Sequence, residues 1–150
     1  MNEDMELSEY ESIIKEVLDS GGEFKFSPSG ISMRPFLKEG SCAVVIVKPQ
    51  GRLSRNDIAL FKRDSGAYVL HRVMNVKDDS YDFCGDNQVR YECGVTDDMI
   101  IGVVSRVFIN NKEKNLSSFG HKLYLFVWRC KLLRRCCFKL QKITGHRGKR

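Results

Sequence analysis

Hydrophobic positions recur with two different periods along this chain. Near the N-terminus, Tyr10, Ile13, Ile14, Val17 and Leu18 fall at helical spacing, and Ser8 followed by Glu11 forms a capping-box pattern. The pattern predicts a helix from about Ser8 to Ser20, stopped by Gly21-Gly22. After it, short β-rich runs lie between Gly, Asp and Asn clusters. Cys42 to Val47, Asp57 to Lys62, Ala67 to Val76, Ser80 to Cys84 and Met99 to Ile109 are predicted strands. Helical spacing returns in the tail, where Leu123, Phe126, Val127, Cys130, Leu133, Cys137 and Leu140 share one face that Arg134 interrupts. The plan is an N-terminal helix (1–22), a β body (23–116) and a basic amphipathic tail (117–150).

Charge sharpens this division. Ten Lys/Arg and no Asp/Glu lie from Gly120 to Arg150, so the formal +6 of the whole leaves −4 for residues 1–119. The basic character belongs to the tail. Aromatic residues among those cations suit a helix lying on an anionic membrane surface, and packing against the body or a partner is the competing reading. Nucleic acid is not expected as a partner, because no DNA- or RNA-binding motif accompanies the charge.

The opening MNEDMELSEY has neither the basic nor the apolar region of an export signal. The longest uncharged stretch of the apolar tail, Leu123 to Trp128, is far below the roughly 20 residues of a membrane span. A cytoplasmic protein, peripheral on the inner face of the cell membrane if the tail binds lipid, is the expectation. Its six cysteines (Cys42, Cys84, Cys93, Cys130, Cys136 and Cys137) form no C-x-x-C pair and have no His at zinc spacing. Reduced thiols, no metal and no cofactor are therefore expected.

Three segments of the β body carry candidate chemistry. The first, Ser27-Pro28-Ser29-Gly30-Ile31-Ser32-Met33-Arg34-Pro35-Phe36-Leu37, contains Gly-x-Ser-Met-x-Pro-x-Leu ahead of a strand. In the second, Tyr68-Val69-Leu70-His71-Arg72-Val73, strand alternation sets Val69, His71 and Val73 on one face. The third is Tyr81-Asp82-Phe83-Cys84-Gly85-Asp86-Asn87. By residue type alone Ser32 is a turn residue, His71 a strand side chain and Gly85-Asp86-Asn87 a turn. Together and in this order they resemble the boxes of type I signal peptidases, with the His-Arg-Val of the His-type members. The likeness spans roughly Ser27 to Val107.

That resemblance implies a mainly β fold like the signal peptidase and LexA-type catalytic domain, flanked by the two helices. It implies a serine endopeptidase that cuts a leader or precursor peptide through an acyl-enzyme. Ser32 would be nucleophile, His71 general base and Asp86 the acid that orients the imidazole, with Glu92, Asp97 and Asp98 ranked behind it. Gly30 would let substrate approach and Met33 would line the groove. Imidazole starts near 6.5 and needs little tuning to accept a proton. Three features depart from the family, the least of them Asn56-Asp57-Ile58 in place of a more usual Gly-Asp pair. Gly30 stands where many members carry a second oxyanion-binding Ser, and an anchoring transmembrane helix is not evident, so a role in secretion does not carry over. A self-cleaving LexA-like regulator and an inactive scaffold of the same fold are the alternatives.

Overall fold

The computed structural model describes residues 3–116 and 118–129. Helix α1 (Glu3–Asp19) starts earlier than the Ser8 pattern predicts. Met5, Glu6 and Leu7 are good helix formers, so Ser8 falls inside the helix instead of capping it. Ile14 and Leu18, one turn apart, are buried, whereas Tyr10 and Ile13 are half exposed.

Eight strands follow: β1 (Phe24–Phe26), β2 (Cys42–Val47), β3 (Ile58–Lys62), β4 (Tyr68–Val76), β5 (Tyr81–Cys84), β6 (Glu92–Val95), β7 (Ile100–Ile109) and β8 (Lys112–Glu113). They form one open antiparallel sheet in the order β1-β2-β7-β3-β4-β5-β6, with β8 paired to β7. Asn110 and Asn111, at φ of 50° and 62°, form the tight turn between β7 and β8, a conformation asparagine tolerates well. With α1 and a C-terminal helix α2 (Phe119–Arg129), the architecture is mixed α/β: helix, antiparallel sheet, helix.

Alternation along β3 and β4 builds a core on each side of the sheet. Leu60 and Tyr68 join Ile46 and Ile101 under Ile14 and Leu18 of α1. Ala59, Phe61, Val69 and Val73 face the other way, against Tyr81, Phe83 and Val95. His71 shares this second face, its ring 6.3 Å from that of Phe61. Phe61, Tyr81 and Phe83 are fully buried, each contributing roughly 1.5–3 kcal/mol by area. The helix seats closely because β7 carries Gly102, where a Cβ would lie 3.1 Å from both Leu18 Cδ1 and Ile46 Cδ1. Glu11 then pins α1 to the β3–β4 hairpin, accepting hydrogen bonds from Lys62 Nζ (2.7 Å), Lys15 Nζ (2.7 Å) and the Tyr68 hydroxyl. Those bonds, that from Lys15 foremost, hold the Glu11 carboxyl down at about 2.

The chain divides between Lys114 and Asn115 into two units. In the second, α2 stacks His121, Tyr124 and Trp128 at centroid spacings of 6.0 and 5.1 Å. The predicted tail face continues through Cys130, Leu133, Arg134, Cys137 and Leu140, which lie outside the described residues. Cys42 is buried, and the buried Cys84 donates from its Sγ to the Gln88 and Arg90 carbonyls at 3.4 and 3.3 Å.

Candidate active site

The Ser-Met loop between β1 and β2 is held from inside by its apolar residues. Met33, Phe36 and Leu37 are buried, the Leu37 N–H donates to the Met33 carbonyl at 2.9 Å, and the Arg34–Pro35 peptide is cis. Ser32 remains half-buried and Ile31 exposed. Gly30 adopts φ 80°, and a Cβ there would meet nothing within 4 Å. The glycine is thus required by backbone conformation.

The Gly85-Asp86-Asn87 turn packs directly on the nucleophile candidate's backbone. The Asn87 N–H donates to the Ser32 carbonyl at 2.7 Å. A Cβ on Gly85 would lie 2.5 Å from that same oxygen, so only glycine fits between the two segments. The first and third boxes therefore form one backbone unit.

Arg72 fastens that unit to β4. Its guanidinium donates from Nε to Asp86 Oδ1 (2.8 Å), from Nη2 to Asp86 Oδ2 (2.7 Å) and from Nη1 to the Asn56 carbonyl (3.0 Å), and it lies 5.2 Å from the Phe36 ring centroid. Both ions are buried, and two parallel charge-assisted bonds satisfy much of each. Each Asp86 oxygen accepts one bond from Arg72, so this carboxylate anchors the guanidinium. A buried guanidinium needs such a partner.

His71 lies in a different environment. The imidazole is buried, and its Nδ1 has no hydrogen-bond partner among the described residues. Glu92 Oε2, at the start of β6, is 3.8 Å from that nitrogen, just beyond hydrogen-bond distance. Arg63, in the β3–β4 turn, holds Glu92 through Nε–Oε1 (2.5 Å) and Nη2–Oε2 (2.7 Å). Burial pushes the imidazole from its ordinary 6.5 down to about 4; Glu92 opposes the shift, Arg63 adds to it, and Asp86 opposes it least.

Ser32 and His71 line a single cavity of about 230 Å3, together with Gly30, Met33, Leu37, Arg63, Tyr68 and Gln88. A loop, a strand and a turn far apart in sequence converge there. Arg63 was not singled out in the sequence, because Arg63-Asp64-Ser65-Gly66 has the composition of an exposed hairpin turn. Gln88 follows the third box directly and lacked any mark beyond that adjacency. A larger cavity of about 540 Å3, between α1 and residues 48–53, is rimmed by the Lys48–Asp19 (2.7 Å) and Arg52–Asp97 (3.2 Å) ion pairs and is lined by no Ser, Cys or His. The smaller cavity is the one that both Ser32 and His71 line.

No protein-family model and no curated protein matches this chain. The functional reading therefore rests on the residues and their arrangement.

Proposed function

We propose that this chain is a serine endopeptidase of the signal peptidase and LexA-like type, cutting a leader or precursor peptide with Ser32 as nucleophile and His71 as general base. The observation that carries the reading is the convergence of Ser32 and His71 on one cavity, with the Gly85-Asp86-Asn87 turn bonded to the Ser32 carbonyl.

In the reaction, Ser32 Oγ attacks the scissile carbonyl carbon while His71 Nε2 takes the hydroxyl proton. The oxyanion forms beside the Ser32 amide, and the imidazolium returns its proton to the leaving amine as the C–N bond breaks. Water then attacks the acyl-enzyme, giving its proton to His71, and Ser32 recovers a proton as the acid product departs. Buried Met33 and left-handed Gly30 shape the wall that the substrate backbone meets.

Glu92 is the better candidate for the third role. Its Oε2 faces Nδ1 at 3.8 Å, so a small approach would let the imidazolium donate to it. Asp86 acts one step removed, holding Arg72 and with it the turn that fixes Ser32. A fluorophosphonate probe tests the reading: wild type should be labelled and Ser32→Ala should not. Equal labelling of both proteins, or hydrolysis of a peptide library that survives Ser32→Ala, would overturn it.

A further inference from the structure

Part of the apolar surface of helix α2 is exposed. Phe119, Leu123 and Phe126 are 82%, 52% and 75% exposed, and their i, i+4, i+7 spacing makes them one stripe. The opposite side is already complete, with His121, Tyr124 and Trp128 stacked in near-parallel planes and both His121 and Trp128 buried. Two phenylalanines and a leucine in a single exposed stripe mark a surface that something covers.

Charge indicates the occupant. Lys122 is exposed beside the stripe, and residues 120–150 carry ten Lys/Arg without one Asp/Glu. A second copy of this segment would set ten cations against ten, a repulsive pairing. An anionic lipid surface offers both an apolar layer for the stripe and phosphates for the cations. No described helix is long and apolar enough to cross a membrane. An exposed apolar stripe flanked by cations is the pattern of a helix that lies in the interface plane.

We propose that α2 docks this protein on an anionic phospholipid bilayer, with Phe119, Leu123 and Phe126 entering the boundary between headgroups and acyl chains. The inference stands independently of the peptidase reading, since it uses none of the cavity residues.

Co-sedimentation of the full chain with vesicles of equimolar phosphatidylcholine and phosphatidylglycerol tests it. Wild type should pellet with these vesicles and bind pure phosphatidylcholine far less. The double change Phe119→Ser with Phe126→Ser should weaken binding roughly tenfold or more, since each ring removed forfeits its burial. Trp128, the sole tryptophan, reports in its emission whether the α2 ladder persists in the variant. If that emission changes, the single Phe119→Ser, at the most exposed of the three positions, serves instead. Wild type that stays in solution at low salt would overturn the proposal. So would salt-sensitive binding indifferent to the Phe changes, which would mark a general attraction to polyanions, nucleic acid included. A dimer that the Phe changes dissociate, with no vesicle binding, would assign the stripe to a second copy.

Discussion

His71 Nδ1 lies 3.8 Å from Glu92 Oε2, and no hydrogen bond closes the gap. The carboxylate is held at that distance by Arg63, while burial keeps the imidazole neutral. For the proposed peptidase this is a resting arrangement in which His71 and Glu92 are adjacent and feel each other's charge without a hydrogen bond between them. Charge arriving on His71 during attack supplies the attraction that would draw the two together.

Exchanging the two acids separates catalysis from architecture. Glu92→Gln should lower kcat roughly 100-fold or more with little change in Tm, because Glu92 is partly exposed and its loss leaves no buried ion unpaired. Asp86→Asn strips charge from the buried Arg72 and should cost about 3 kcal/mol or more of stability. Thermal melts and single-turnover rates on both variants decide the matter. A fully active, folded Glu92→Gln enzyme would refute the role given to Glu92.

Burial changes the pH dependence expected from an ordinary imidazole. With His71 held down at about 4, kcat/KM should stay level from neutral to about pH 5 and fall only below that. Half-loss of activity between pH 6 and 7, where a free imidazole titrates, would contradict a buried base.

The same shift makes stability sensitive to acid. Between 6.5 and about 4 the unfolded chain binds a proton at His71 that the folded protein excludes. Stability is thus complete above 6.5 and declines as pH falls toward 4, by about 3 kcal/mol from this residue. Glu11, depressed from 4.5 to about 2, acts in a lower window, its contribution disappearing as pH falls through that range. Urea unfolding across pH should show His71→Gln flattening the upper window and Glu11→Gln the lower one. A profile unchanged by His71→Gln would place the acid sensitivity elsewhere.

The strands legible in the sequence are well-buried apolar runs bounded by Gly, Asp and Asn clusters, which is why β2, β3, β4, β5 and β7 fall within a residue of their predicted bounds. The strands missed, β1, β6 and β8, are two to four residues long and largely exposed, so no burial pattern marks them. The loss of β6 mattered most, because Glu92 is its first residue and reads as one acid among several in a polar stretch. Ser32 and His71 stood out through the chemistry of their neighbours. The partner of Asp86 had a sequence signal too: Arg72 follows His71 in a strand buried on both sides, and a buried cation needs a carboxylate. Arg63 had none, since its importance comes only from where β6 ends up beside the hairpin.

Arg63 supplies the last prediction. It draws Glu92 away from the imidazole and, as a nearby cation, disfavours protonation of His71. Replacing it with Met keeps the bulk of the stem and removes both effects. Glu92 would then be free to close on Nδ1, and the acid limb of kcat/KM should move upward from about 4 toward the ordinary imidazole range. Arg63→Lys retains the charge but loses the two-pronged grip, so it should give an intermediate profile. Because the Arg63–Glu92 pair is part-exposed, Tm should change little in either variant, which separates this outcome from simple unfolding. A limb that stays put in Arg63→Met, in a protein that retains its Tm, would show that Arg63 does not govern the coupling of His71 to Glu92.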